Sequence, residues 1–233
     1  MIKTFILFLK KLKFQNNRTS YSQAGEDALL RFLFNDFGIS KITYLDLGTN
    51  SPIFNNNTYW FYLNHSNGVC VEADIDLVNI IKKFRPKDKI IHAGVSVSNE
   101  IEAEFYIFDQ PALNTFDKIE VDSRLKSGTN KLIKSVNVPL LNINKILNDY
   151  FTKTPDLLSI DIEGLDLEVL KSIDYVKFPI PVICVETCEY SENHIRPKNQ
   201  LFADFLKSIE YEIYADTYIN TIFVNKKWFY KIK

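Results

Sequence analysis

LLSIDIEGLDLEVLKSIDYV, residues 157–176, is the stretch on which the fold turns. An apolar run, Leu157–Ile162, ends in Asp161-Ile162-Glu163-Gly164, and a helical pattern over 165–176 begins at once. A fully apolar strand that runs straight into a helix is half of a βαβ unit, the building block of parallel sheets covered on both faces. By the period of two, Asp161 and Glu163 point to the same face at the strand tip. Two carboxylates placed together are costly unless they bind a cation, accept hydrogen bonds or share a proton. Asp166 and Glu168 follow where acidic side chains favour a helix N-terminus.

Working outward, the same rhythm repeats. Strand-like runs at Ile42–Leu47, Gly68–Glu72, Ile90–Val95 and Val182–Glu186 alternate with helical stretches at 23–37, 58–65, 75–84, 142–151 and 198–209. This predicts an α/β domain with a mostly parallel sheet. Tyr211–Ala215 and Tyr218–Asn225 lie too close together for a parallel crossover and are expected as an antiparallel hairpin at one sheet edge. Residues 109–137 are polar and poorly periodic, so they are expected as an insertion, a lid or a binding loop. The resulting division is an N-terminal segment, 1–20, followed by one domain, 21–233.

A chain of 233 residues with 46% apolar side chains can bury its own core without disulfide or metal staples. The formal net charge of −1 offers nothing to steer the protein toward a nucleic-acid backbone. Cys70, Cys184 and Cys188 are odd in number and two sit in apolar runs, which points to reduced thiols and a cytoplasmic setting. CxxxC at 184–188 has no second pair at metal spacing, so no zinc site is expected. At the N-terminus, Phe5, Phe8, Leu9 and Leu12 share one helical face, with Lys3, Lys10 and Lys13 on another. The run is too short to span a bilayer. Two readings stay open: a helix packed on its own domain or on the second subunit of a homodimer, and a basic amphipathic helix resting on the inner face of a membrane. The abundance of Asn, Lys and Ile is the composition of an AT-rich bacterial genome.

Chemistry collects at the carboxyl ends of the expected strands, where open α/β sheets bind ligands. The first strand ends in YLDLGTNSP (44–52), with Asp46 at its end and Gly48 opening a turn that lets backbone approach a ligand. GVCVEAD (68–74) places Glu72 at the second tip, where an acidic side chain can accept both ribose hydroxyls of a nucleoside. Asp76 is expected to cap the next helix. KIIHAGVS (89–96) ends at Gly94 and Val95, small enough to flank a purine, and its lone His92 is read as structural. The fifth run brings Glu186 and Glu189 to the same edge. Structural carboxylates rarely gather at several adjacent strand tips, which points to function.

These residues resemble the FkbM family of S-adenosylmethionine-dependent methyltransferases. The resemblance rests on SQAGED (22–27), YLDLGTNSP (44–52), NNNTYWFY (55–62), VEAD (71–74), RPKDK (85–89), LNTF (113–116), LSIDIEGLDLEVLKSIDY (158–175) and VICVET (182–187), in that order over residues 22–187. It implies a Rossmann-like class I methyltransferase fold, a seven-stranded sheet whose last hairpin supplies the antiparallel strand. It also implies S-adenosyl-L-methionine as cofactor, with candidate contacts at Gln23, Glu26, Asp46, Gly48, Thr49, Asn50, Glu72, Ala73, Gly94, Val95 and Asp161. Methyl transfer to a hydroxyl oxygen follows, in many members that of a sugar, so the expected partner is a small-molecule or glycan acceptor and not nucleic acid.

A sugar hydroxyl needs a general base or a metal ion to become a nucleophile near neutrality. Asp161 is the first candidate, with Glu163 and Glu186 as helpers. A divalent cation held by such oxygens would be magnesium or manganese. Rival readings are a nicotinamide-dependent sugar enzyme and a noncatalytic cofactor-binding protein. Against the first, GTNSPI (48–53) lacks the three-glycine fingerprint. Against the second stand Asp46, Glu72 and Asp161, all at strand ends.

Overall fold

The computed structural model describes residues 19–98, 100–110, 113–127, 130–162, 164–188 and 197–232. The readings placed on the basic N-terminal run through residue 18, on Glu163 and on Glu189 fall outside these residues.

Helix α1 (Glu26–Asp36) precedes β1 (Thr43–Leu47), α2 (Tyr59–Leu63), β2 (Asn67–Glu72), α3 (Ile75–Phe84) and β3 (Lys89–His92). The chain then forms β4 (Gly94–Ser96), β5 (Glu102–Phe108), α4 (Lys118–Ser127), β6 (Leu132–Asn142) and α5 (Ile143–Tyr150). It continues through β7 (Leu157–Ile160), α6 (Asp166–Ser172), β8 (Val182–Glu186), α7 (Gln200–Ser208), β9 (Tyr211–Asp216), β10 (Asn220–Asn225) and α8 (Lys226–Ile232).

Seven strands make one sheet in the order β3-β2-β1-β7-β8-β10-β9. The first five run parallel, and β10 lies antiparallel to both β8 and β9. Alternation along each strand feeds two apolar layers. Leu45, Val71, Leu158 and Ile183 pack against α5, α6 and α7 on one face. Tyr44, Cys70, Leu157 and Cys184 pack against α1, α2, α3 and α8 on the other. Since Asp46, Glu72 and Glu186 are two residues beyond members of this second set, their side chains leave the sheet on that same face.

The expected third strand divides. Beyond β3 the backbone turns at Ala93, and β4 leaves the main sheet for a three-stranded one in the order β4-β6-β5. The crossing at Gly94 is tight: a Cβ there would lie 2.5 Å from the Phe116 ring and 2.8 Å from the Leu140 side chain, so any larger residue would have to displace them. The polar stretch 109–137 therefore holds α4 and the first half of β6. Helix α6 stops at Ser172, earlier than its sequence pattern, because the Asp174 side chain accepts from the Val176 and Lys177 amides and forms a turn of its own. The cap of α3 is Asp74, which accepts from the Asp76 amide; Asp76 sits in the first turn and is not the cap. His92 meets the Ala73 carbonyl at 3.0 Å, a satisfied structural histidine. Cys70, Cys184 and Cys188 are reduced, with Cys70 and Cys184 buried. Among the described residues, no helix is long and apolar enough to cross a membrane.

Candidate active site

A cleft opens at the carboxyl ends of β3, β2, β1 and β7. Gly48, Asn50, Glu72, Ala73 and Asp161 line it from the strand tips, Gly94, Val95 and Phe105 from β4 and β5, and Asn114, Thr115 and Phe116 from the segment between β5 and α4. Its free volume is about 100 Å³, aside from the open space at its mouth.

The turn after β1 is built for close approach. Gly48 has φ +74°, and a Cβ there would lie 1.8 Å from the Asp161 carbonyl oxygen. Glycine thus lets the tips of β1 and β7 touch, and Asn50, also at positive φ (51°), completes the turn. Glu72 holds this turn from beside it: one carboxylate oxygen accepts the Asn50 amide and the other the Asp74 amide, both at 2.8 Å. Burial raises the Glu72 pKa, and these two amides pull it back. Each oxygen keeps a lone pair for a further donor, as two ribose hydroxyls require.

Asp161 begins the turn after β7, its amide bonded to the Leu47 carbonyl. Its side chain stands open to the cleft, yet protein around its base and flanks limits hydration. That desolvation, with Asp166 nearby, pushes its pKa up to about 7; a hydrogen bond with Glu186 works in the opposite direction, and Asp46 and Glu72 add to the rise. Asp166 spends its own carboxylate on the Ile162 and Gly164 amides, which fixes the turn carrying Asp161. The arrangement can hold a proton near neutral pH beside the cleft. Among the described residues, no group of three or more His, Cys, Asp or Glu is arranged to hold a metal ion.

Several sequence-selected residues lie elsewhere. Asp46 is buried under the cleft floor, where it accepts from Thr58 Oγ1 at 2.6 Å and pairs with Arg85 at 3.5 Å. Thr49 is buried, and its hydroxyl donates to the Asp46 carbonyl. Glu26 is fully buried: Thr217, Asn220 and the Ala24 amide all donate to it, tying α1 to the β9–β10 turn. Burial would raise its pKa, but these bonds hold it below the usual carboxylate range. Gln23 is exposed in the turn before α1. Glu186 borders a second cavity together with Glu168, Cys188, Asn199, Leu201 and Phe202.

Two groups of residues went unassigned by sequence reasoning. Asn114 and Phe116 form a cleft wall from within a stretch read only as a loop, although their LNTF motif was a signal. Arg85 and Asp88, from the RPKDK motif, form the buried core beneath the site. Arg85 donates to Asp88, Thr58 and Asn56, and Asp88 also receives the Tyr44 hydroxyl and the Gly68 amide.

A seven-stranded sheet of this order, with a reversed β10 and a cleft at the β1 and β2 tips, is the class I fold of S-adenosylmethionine-dependent methyltransferases. The chain belongs to the FkbM family: the family model of the methyltransferase FkbM domain matches residues 46–213. Among solved structures, the chain is similar to the methyltransferase FkbM of Methylobacillus flagellatus at 11% identity and a TM-score of 0.44, covering 79% of this chain and 44% of that one. The O-methyltransferase of Bacillus cereus, in complex with SAH, aligns at 11% identity and TM-score 0.42 over 94% and 89% of the two chains. A TehB-like SAM-dependent methyltransferase of Corynebacterium glutamicum aligns at 8% and 0.43 over 96% and 97%. No curated protein matches the chain significantly.

Proposed function

We propose that this methyltransferase places the methyl group on a hydroxyl oxygen, that of a sugar in a bacterial surface glycan or its nucleotide-linked precursor. The observation that carries the oxygen acceptor is Asp161, a carboxylate at the cleft with a pKa raised to about 7. A base poised near working pH is what hydroxyl deprotonation calls for, since it is both available and strong enough. The bound cofactor would supply an activated methyl group on a sulfonium.

The residues present fit that cofactor. Glu72 offers two acceptor oxygens at the ribose position, Gly48 and Asn50 bring bare backbone to the cleft, and the far wall is apolar. Asp161 takes the proton as the oxygen forms its new bond, and Glu186, hydrogen-bonded to Asp161, orients it and shares the proton. Holding both reactants in line supplies much of the remaining acceleration.

Room for a sugar lies beside this pair. The cavity bordered by Glu186 has about 490 Å³ of free volume. Glu168, Glu186 and Asn199 offer hydroxyl acceptors there, and Leu201 and Phe202 offer an apolar surface for a ring. Because that wall is rich in carboxylates, a neutral glycan suits it better than a diphosphate-bearing precursor. Asp161 and Glu186 are also oxygen donors of the kind magnesium or manganese takes. The deciding experiment is a methyl-transfer assay over neutral oligosaccharides, nucleotide-linked sugars and amines, each with and without chelator. Methylation of amines alone would rule out the oxygen-acceptor reading.

A further inference from the structure

Across the cleft the strand order sets a sequence of chemistries. Asp161 follows β7, Gly48 and Asn50 follow β1, Glu72 ends β2, and Gly94 and Val95 follow β3. Neighbouring strands lie about 4.8 Å apart, so this order is also a spatial one, from a carboxylate that can take a proton, through a diol-binding carboxylate, to an apolar end. That end is closed by side chains from β5 and from the segment that follows it. Phe105 and Phe116 pack with centroids 4.6 Å apart at 46°, and both border the cleft with Ala73 and Val95.

We infer that Phe116 is the stacking wall of the adenine subsite, delivered by the segment 113–116 and held there by Asn114. Three observations carry this. First, Phe116 is pressed edge-on toward Gly94, which has no side chain to separate the ring from the strand tip. Second, Asn114 is buried and its amide group is committed at both ends: it donates to Asp74 at 3.1 Å and accepts the Phe108 amide at 2.9 Å. Third, Asp74 donates its own amide to Glu72, so one chain of hydrogen bonds couples the segment bearing Phe116 to the diol-binding carboxylate. A planar base leaving the ribose toward β3 meets the Phe116 ring on the cleft wall there, and stacking on such a ring is worth enough to govern affinity.

The inference rests on the methyltransferase reading, and the test separates the two. Binding of S-adenosylhomocysteine and of S-ribosylhomocysteine, the same molecule without its base, is measured by calorimetry or competition on the wild type, Phe116→Ala and Phe116→Trp. The expected result is a fall of about ten- to a hundredfold in S-adenosylhomocysteine affinity for Phe116→Ala. Its affinity for the base-free ligand should stay within about threefold of wild type, and Phe116→Trp should keep both affinities. Equal weakening of both ligands, or no weakening of either, overturns the adenine assignment. If Phe116→Ala does not fold, Phe116→Leu replaces it, and an unchanged ratio of the two affinities overturns the inference in the same way. A wild type that binds neither ligand defeats the cofactor reading itself.

Discussion

Arg85 Nε lies 2.7 Å from Asp88 Oδ2, and neither side chain is open to solvent. The same guanidinium reaches Asp46 at the tip of β1 and Thr58 at the start of α2. One cation is therefore shared between two buried carboxylates and pins the loop that follows the cofactor turn. Asn56 extends this hold, donating to the Thr49 and Ser51 carbonyls. The floor of the active site is thus an ionic core whose members come from three separate parts of the chain.

Removing that cation should be severe. Arg85→Ala leaves Asp46 and Asp88 buried without a counter-charge, and the expected loss is about 3–5 kcal/mol of unfolding free energy. Urea unfolding of the purified variant measures it. Lysine cannot span the same partners with a single ammonium, so an Arg85→Lys protein as stable as wild type would contradict the forked arrangement.

Replacing Asp161 by Asn removes the base while preserving size. Turnover of the hydroxyl acceptor is expected to fall by roughly 10²–10⁴, with S-adenosylhomocysteine affinity nearly unchanged. Single-turnover rates together with calorimetry make the comparison. A variant that keeps wild-type turnover removes Asp161 from the reaction.

The raised Asp161 pKa has two consequences with pH. As a base it must be ionised, so kcat/KM for the acceptor should climb as pH rises through about 7 and then level. For stability, the folded protein holds this proton up to about 7, whereas the unfolded chain releases it near about 4. This group's contribution is therefore full below the unfolded pKa and is lost as pH rises through the folded one. Because Asp161 opens to the cleft, solvent screening keeps the effect small. In melting experiments from pH 4 to 8, Asp161→Asn should be more stable relative to wild type at the alkaline end; a difference independent of pH would refute the shift.

Glu72→Gln exchanges a carboxylate that accepts two amides and a diol for a side chain with one acceptor oxygen and a donor facing a backbone N–H. S-adenosylhomocysteine should bind about ten- to a hundredfold more weakly, the worth of one or two hydrogen bonds to a charged group. Equilibrium titration reads this directly. Unaltered affinity would place the ribose elsewhere.

Much of this protein was legible from local pattern alone. Apolar runs such as Leu157–Ile160 and Val182–Glu186 pointed to a sheet buried on both faces, and the ends of such runs assigned Asp46, Glu72 and Glu186 to strand tips at one sheet edge. Glycine at Gly48 announced a turn because few other residues accept its φ. Spacing along a chain, however, carries no information about what a side chain meets across space. Asp46 read as a cofactor contact and Glu26 likewise, yet both are buried and already partnered, Asp46 by Arg85 and Thr58, Glu26 by Thr217 and Asn220. Those partners lie far along the chain, and a buried charge is settled by whichever counter-group the fold delivers. The strands flanking 109–137 escaped notice for a related reason. β6 is mostly exposed or half-buried, so its alternation is weak, and its pairing with β5 and β4 is what gives it form. Only that pairing carries Phe116 to the mouth of the third strand.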